Sequence, residues 1–208
     1  MPAPSDMKLH WSPKSPFVRK VMVCARELGI VDRLTRVRSI AAMLKPNPDI
    51  MRDNPLSKIP TLVLDDGTVL YDSIVICEYL NDLAKGPLFP AHGEAKWLAL
   101  RRHALADGLL DILILWRNER DRSDASEVLV RAFETKTLAC LDRLEGEAAA
   151  LSRGPFDIGQ VTIGCMLGYL DFRFDALGWR THSPALARWF EPIDARPSFR
   201  ATAPSLEG

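Results

Sequence analysis

The sequence of 208 residues lacks any apolar run of the roughly 18 residues that a transmembrane helix requires. Its opening residues, MPAPSDMKLHW, contain no apolar core of the kind that a secretory signal peptide has. The four cysteines are far apart and form no CxxC pair, and most fall in apolar helical patterns where buried thiols are common. We therefore expect a cytoplasmic protein that does not associate with membranes.

An excess of charge of one sign is also absent. Lys and Arg together number 27, as do Asp and Glu, so the formal net charge is zero. No overall field attracts the chain to nucleic acid or to an anionic membrane. The four histidines show no pair at i and i+4 and no nearby ligand cluster, so we expect no metal site.

Residues 7–84 predict a compact α/β unit, because a parallel strand pair joined by a helix is followed by a hairpin and a covering helix. The helical and strand periods of apolar residues, with Gly and Pro at the breaks, set the element bounds. The predicted order is a strand (7–11), an amphipathic helix closed by Gly29, a strand (33–40), an irregular segment (41–54), a hairpin turning at 65–68, and a helix from Asp72.

The stretch AKGPLFPAHG, residues 84–93, interrupts this pattern, and we place a domain boundary there. Beyond it, residues 94–208 predict an all-helical domain. The predicted helices cover 94 to 119, 124–151, a segment beginning near Asp157, and shorter segments after Pro184 and after Pro192. Asp157 is expected to cap its helix, with the Gln160 side chain bonding back to it.

Three polar stretches in the first unit are candidates for a ligand site: Ser15 at the first helix start, NPLSKIP (54–60), and YDS (71–73). The end of the first strand and the adjacent helix start lie on the ligand-binding edge of such a sheet, so all three can meet there. Each stretch also has a structural explanation. Ser15, like Asp72, suits a helix cap, with Pro16 at the first helical position.

Pro60 leaves two alternatives open. A trans proline can begin an edge strand, whereas a cis Ile59–Pro60 bond leaves the backbone of Ile59 able to pair with an extended peptide. For Asp72 and Ser73, the alternative to capping is ligand binding. The free N–H groups and the Ser73 hydroxyl attract a carboxylate, and the Asp72 carboxylate can hold an ammonium group, so an amino-acid head group fits both.

Taken in order, several segments resemble the cytosolic glutathione transferases. They are SPFVRKV, NPLSKIPTLVLDDG, LYDSIVICEYL, FDIGQVTIGCMLGYLDFR and ARPSF. The resemblance covers nearly the whole chain and is to serine-type, bacterial-like members, with a first domain related to the omega and zeta classes. It implies a thioredoxin-like N-terminal domain followed by an all-helical C-terminal domain.

The resemblance implies roles for single residues. Ser15 matches the catalytic hydroxyl, with Ser12 as a rival donor. The implied glutathione-binding residues are Phe17, Ile59, Pro60 in cis, Asp72 and Ser73. Family members usually carry Glu where Asp72 stands, so this carboxylate is shorter. Omega-type reductase activity requires a cysteine in place of Ser15.

The implied activity is that of a glutathione transferase in detoxification, with glutathione as co-substrate and a small hydrophobic electrophile as second substrate. That electrophile is expected near Trp11, Phe17 and Trp116. The alternatives are a glutathione-dependent peroxidase, and a non-catalytic glutathione-binding or interaction protein of the same fold. Similar proteins are usually homodimers, and the resemblance implies no metal.

Overall fold

The computed structural model describes residues 7–206, which form two compact units. The first unit comprises residues 7–89 and 201–206, and the second comprises residues 90–200. The predicted fold class is confirmed: a small mixed sheet with helices comes first, and an all-helical unit follows. The predicted domain bounds, 7–84 and 94–208, stay a prediction, and residues 201–206 group with the first unit.

A four-stranded sheet lies at the centre of the first unit, with the strand order β2-β1-β3-β4. Strand β1 is parallel to β2 and antiparallel to β3, and β4 is antiparallel to β3. The elements are β1 (Met7–Trp11), α1 (Pro16–Glu27), β2 (Leu34–Arg38), α2 (Pro48–Met51), β3 (Thr61–Val63), β4 (Val69–Leu70) and α3 (Ser73–Ala84). A 3-10 turn, Val31–Arg33, precedes β2.

The apolar pattern of the sequence accounts for the packing of this unit. Met7 and Leu9 on β1 are buried, as are Val21 and Cys24 on α1. Because side chains alternate along a strand, Lys8 and His10 point to the opposite face of the sheet. Their surroundings on that face bear on the candidate site.

The second unit is all-helical. Its helices are α4 (Gly93–Arg120), α5 (Glu127–Glu145), α6 (Ala148–Arg153), α7 (Ile158–Arg173), α8 (Trp179–His182), α9 (Pro184–Asp194) and α10 (Pro197–Arg200). A 3-10 turn, Asp175–Leu177, separates α7 from α8.

Helix α7 is the centre of this unit, since every residue from Ile158 to Leu170 is buried. It packs closely on α4 at Gly159. A Cβ atom at Gly159 would lie 2.8 Å from the carbonyl oxygen of Ala99 and 2.8 Å from Cβ of Arg102. Glycine therefore permits the close approach of the two helices.

The predicted single helix over 124–151 is wrong, because the chain breaks between α5 and α6. Gly146 ends α5, and Glu147 turns its carboxylate toward Arg101 and Arg102 on α4, at 2.7 and 3.0 Å. The tertiary ion pairs of Glu147 explain a break that local apolar spacing does not show. The helix predicted after Pro192 is also wrong, since Pro192 lies within α9 and the next helix begins at Pro197.

Asp157 caps α7 as predicted, because its side chain accepts a hydrogen bond from the Gln160 backbone N–H at 3.1 Å. The predicted return bond from the Gln160 side chain is wrong. Gln160 Nε2 donates instead to the carbonyl oxygen of Leu151, at 2.9 Å. Burial is the main cause that raises the pKa of Asp157, with the Gln160 N–H acting in the opposite direction.

Candidate functional site

The strand register brings the three polar stretches to one edge of the sheet. His10 of β1 pairs with Thr61 of β3, so the Ile59–Pro60 bond lies beside the end of β1 that leads to Ser15. Leu70 of β4 pairs with Leu62, which places the start of α3 at the same edge. The expected meeting of the three stretches follows from these pairings.

Ser15 is the N-cap of α1. Its Oγ accepts a hydrogen bond from the Val18 backbone N–H at 3.2 Å, and Pro16 occupies the first helical position. Since a hydroxyl has one donor and two acceptor sites, the cap leaves the Ser15 proton available to another acceptor. The side chain is half-buried, so a ligand can reach it.

Ser12 lies earlier in the same loop and differs from Ser15 in exposure. It is only 9% exposed, and its Oγ accepts a long hydrogen bond of 3.4 Å from the Lys14 N–H. Its carbonyl oxygen accepts a bond from the Ser15 N–H at 3.3 Å. Ser15 is therefore the more accessible hydroxyl, and it lies at the start of α1.

The Ile59–Pro60 peptide bond is cis, as the resemblance implied. Pro60 is buried and Ile59 is half-buried. Pro60 immediately precedes β3, so Ile59 lies just beyond the paired part of the sheet. The backbone groups of Ile59 can therefore pair with an extended ligand, as one further strand would.

Asp72 and Ser73 begin α3. Asp72 is exposed and is the N-cap, and its Oδ1 accepts a hydrogen bond from the Ile74 N–H at 3.2 Å. The Tyr71–Asp72 peptide is also cis. Ser73 is 2% exposed at the first helical position. The start of α3 thus combines free helix N–H groups with one exposed carboxylate, a combination that suits an amino-acid head group.

A charged network on the opposite face of β1 holds the segment that leads to Ile59. Asp53 Oδ2 accepts a hydrogen bond from Lys8 Nζ at 2.6 Å and lies 2.8 Å from His10 Nε2. The other ring nitrogen of His10 lies 2.8 Å from Ser39 Oγ, after β2. The hydrogen bond to His10, followed by that from Lys8, lowers the pKa of Asp53.

Asn54 organises the loop between Asp53 and Pro60. Its Nδ2 donates to the Thr61 hydroxyl at 2.9 Å and to the Lys58 carbonyl at 3.2 Å. Its Oδ1 accepts from the Leu56 N–H at 3.0 Å. One buried amide therefore fixes both ends of the loop that presents Ile59.

The sequence did not reveal that Lys8, His10, Asp53 and Asn54 support the loop that leads to Ile59. The alternation of β1 was a usable signal, since it placed Lys8 and His10 on one face. Their acidic partner lies 45 and 43 residues further along the chain, and no local pattern links them. Asn54 is the first residue of the NPLSKIP stretch, but the sequence predicted no structural role for it.

The aromatic residues expected near the electrophile differ in environment. Phe17 is half-buried, with Lys20 Nζ 5.6 Å from its ring centroid. Trp116 is buried in the second unit, and its ring centroid lies 4.8 Å from that of Phe174. Core packing alone explains Trp116. Trp11, by contrast, borders a small cavity next to Ser15.

Other features of the structure concern metals, thiols and membranes. Among residues 7–206, no group of three or more His, Cys, Asp or Glu side chains is arranged to bind a metal ion. All four cysteines are present as thiols, and partial burial raises the pKa of Cys140. Across the part of the chain that the structure describes, no helix has both the length and the hydropathy to cross a membrane.

Comparison with known proteins finds the same two domains. The family model for the glutathione S-transferase N-terminal domain matches residues 14–83, and that for the glutathione S-transferase C-terminal domain matches residues 120–191. The uncharacterized GST-like protein YibF of Escherichia coli strain K12 is 34% identical over 206 residues, which cover 95% of this chain and 98% of YibF.

Solved structures agree with these matches. A glutathione transferase family member from Pseudomonas fluorescens Pf-5 with bound glutathione is 42% identical, with a TM-score of 0.93 over 97% of this chain and 100% of that one. A second structure from that organism, with bound S-(propanoic acid)-glutathione, is 41% identical, with a TM-score of 0.89 and the same coverage of both chains. The chain therefore belongs to the glutathione S-transferase family.

Proposed function

We propose that this protein is a glutathione transferase that makes the glutathione thiolate available for attack on a small hydrophobic electrophile. Glutathione binds along the sheet edge formed by Ile59, Pro60 and the start of α3. The γ-glutamyl head group meets Asp72 and Ser73, and the cysteinyl backbone pairs with Ile59. Glutathione bound to similar proteins supports the choice of ligand.

The observation that carries the proposal is the free proton of Ser15. The cap of α1 uses only an acceptor site of the hydroxyl, which remains able to donate to a sulfur anion. The positive end of a helix favours the same anion. Ser15 can therefore cap its helix and stabilise a thiolate at the same time.

One hydrogen bond from Ser15 can supply the free energy needed to lower the pKa of the glutathione thiol. A thiol like that of cysteine has a pKa of about 8.5, so only a few per cent is ionised at neutral pH. Each unit by which the pKa falls requires about 1.4 kcal/mol. One hydrogen bond to a charged group contributes roughly 1.5 to 3 kcal/mol, which lowers the thiol pKa by about one to two units and raises the thiolate fraction at neutral pH severalfold or more.

The reaction then needs no residue to be modified covalently. The thiol releases its proton to solvent, and the sulfur lone pair forms a carbon–sulfur bond with the electrophile. A leaving group departs with its electron pair, or an activated double bond takes up a proton. Phe17 and Trp11 supply apolar surface near the sulfur.

Turnover by Ser15 variants tests the proposal. Ser15→Ala should lower kcat by about 10- to 100-fold, because one charge-assisted hydrogen bond is lost. The dissociation constant of glutathione should change little. Ser15→Thr keeps the hydroxyl and should restore most of the activity, and Ser12→Ala is the matched control. Unchanged turnover in Ser15→Ala would defeat the assignment.

A non-catalytic glutathione-binding protein is the second candidate, and the environment of Asp72 favours it. This carboxylate is short and already caps α3, which limits its reach toward a head group. Retention on immobilised glutathione, with no turnover across a panel of electrophiles, would support this candidate. Turnover of hydroperoxides alone would point to a peroxidase that uses the same thiolate.

We further propose that the chain acts in detoxification as a cytoplasmic homodimer. Exposed apolar side chains on two helices support association, namely Val75 and Leu83 on α3 and Trp97 on α4, which are 42%, 37% and 68% exposed. Sedimentation at micromolar concentration should give the mass of a dimer. A monomer at that concentration would contradict this proposal.

A further inference from the structure

A small cavity opens beside Ser15 within the first unit. Its wall includes Trp11, Ser12 and Ser15 from the first strand and loop, and Thr202 from the C-terminal segment. Arg19 of α1 and Arg36 of β2 complete its polar lining. Ser15 is thus one of the residues that border this space.

The charged residues that line the cavity are all positive. Two lining residues are arginines, and none of the residues that line the cavity is acidic. Arg19 is only 5% exposed and interacts with other groups of the protein, so the charge that a ligand can reach is that of Arg36. An anionic group in this cavity would therefore be favoured over a neutral one of the same shape.

Arg36 is the accessible arginine of the pair. Its guanidinium carbon lies 5.4 Å from the centre of the Trp11 ring, and the residue is exposed on β2 at the edge of the sheet. Within residues 7–206, no carboxylate lies at ion-pair distance from Arg36. Trp11 thus orients a guanidinium whose donors are available to a ligand.

The size of the cavity limits the anion. Its volume is about 60 Å³. A cavity needs about 10 to 15 Å³ of this kind of volume to hold one water molecule, so the space admits a group of only a few non-hydrogen atoms. A carboxylate has about this size, and its two oxygens match the paired donors of a guanidinium.

We propose that the electrophile attacked by the glutathione sulfur carries a carboxylate, that this group enters the cavity beside Ser15, and that Arg36 binds it and selects for it. The inference rests on the proposed function and narrows its substrate class to hydrophobic acids. The carbon–sulfur bond still forms as described above, and the carboxylate takes no part in the electron flow. Arg36 is a specificity residue, and its charge should matter for binding of the conjugate.

Binding of two matched conjugates tests the inference without requiring catalysis. S-carboxyethyl-glutathione and S-carbamoylethyl-glutathione have nearly the same shape and differ in one negative charge. Titration calorimetry should show the wild-type protein binding the acid about two- to fivefold more tightly than the amide, because Arg36 is exposed and solvent weakens its ion pair. Glutathione itself is titrated alongside.

Variants assign the preference to Arg36. Arg36→Gln should bind the acid and the amide about equally, with the affinity for glutathione unchanged. Arg36→Lys keeps a charge but not the fork of donors and should retain part of the preference. Arg26→Gln removes one exposed positive charge from the same helix as Arg19, away from the cavity wall, and should keep the full preference.

The outcomes separate two kinds of failure. If the wild-type protein binds glutathione but does not prefer the acid, or if Arg36→Gln keeps the preference, the inference is overturned while the proposed function stands. If neither glutathione nor either conjugate binds, the proposed function itself fails. Circular dichroism of each variant shows that a change in binding does not come from unfolding.

Discussion

The Val18 backbone N–H donates to Ser15 Oγ over 3.2 Å, and this capping bond is compatible with the chemical role that we propose for Ser15. A capping serine accepts, whereas a serine that stabilises a thiolate donates. One hydroxyl can do both at once. The proposed role of Ser15 therefore does not conflict with its position as the cap of α1.

Asp72→Asn should weaken glutathione binding and leave α3 intact. Asparagine keeps the side-chain oxygen that accepts from the Ile74 N–H, so the cap is preserved. The charge that would hold the ammonium group is lost. Because Asp72 is exposed, the expected rise in the dissociation constant is about two- to fivefold, with kcat at saturation unchanged.

Asp72→Glu is the matched comparison for this prediction, since it restores the charge on a longer side chain. Calorimetric titration with glutathione measures all three proteins. Equal affinities in wild type and Asp72→Asn would mean that Asp72 serves only as a cap.

Asp53→Asn should reduce stability at neutral pH but much less in acid. The bonds to His10 and Lys8 lower the pKa of Asp53 in the folded protein below its ordinary value of 3.8. The contribution of Asp53 is therefore fully present above pH 3.8 and is lost as the pH falls through the lower, folded-state pKa. At pH 7 we expect Asp53→Asn to cost about 1 to 3 kcal/mol of unfolding free energy.

Urea denaturation of wild type and Asp53→Asn between pH 7 and about pH 3 follows this difference. Asp32→Asn, at an exposed position of the same unit, controls for the loss of one carboxylate. We expect the difference in unfolding free energy between wild type and Asp53→Asn to shrink as the pH falls. A difference that grew instead would contradict a stabilising role for the ionised Asp53 carboxylate.

Two glycine substitutions should have opposite effects on the second unit. Gly159→Ala places a methyl group 2.8 Å from the Ala99 carbonyl oxygen and from Arg102 Cβ, so we expect a loss of about 1 to 3 kcal/mol. Gly108→Ala, within α4, meets no described atom within 4 Å. It should stabilise the protein by about 0.5 to 1 kcal/mol, because alanine loses less backbone entropy.

Urea midpoints of the two glycine variants measure these effects. If Gly159→Ala proved as stable as wild type, the claim that α4 and α7 pack too closely at this position for a methyl group would be contradicted.

Local patterns explain why much of the fold was predictable. The start of α1 combines Ser15 and Pro16 with a clear helical period, and both ends of that helix carry strong signals. The hairpin between β3 and β4 has its turn residues in sequence. Such features depend on residues a few positions apart, where physical preferences are well defined.

The errors have a common physical cause in tertiary contacts. The break before α6 depends on Glu147 pairing with α4 residues about 45 positions earlier in the chain. Gln160 bonds to Leu151 instead of to its own cap for the same kind of reason. These contacts are formed only when the helices pack, so local periodicity does not contain them.

The residues of the candidate site also fall into those that local sequence predicts and those that only the structure reveals. The residues at helix starts, Ser15, Asp72 and Ser73, were found from local signals and from order along the chain. Asp53 and its partners on β1 hold the loop that leads to Ile59, and they required the register of the sheet. Arg36 became a candidate only when the structure placed it beside Trp11 at the same cavity as Ser15.

The most direct measurement of the central claim is the ionisation of glutathione on the protein, followed by the ultraviolet absorbance of its thiolate as the pH is raised. For the wild-type protein we predict a midpoint at least one pH unit below that of free glutathione, and for Ser15→Ala a midpoint near the free value. Identical midpoints for bound and free glutathione would contradict thiolate stabilisation by Ser15.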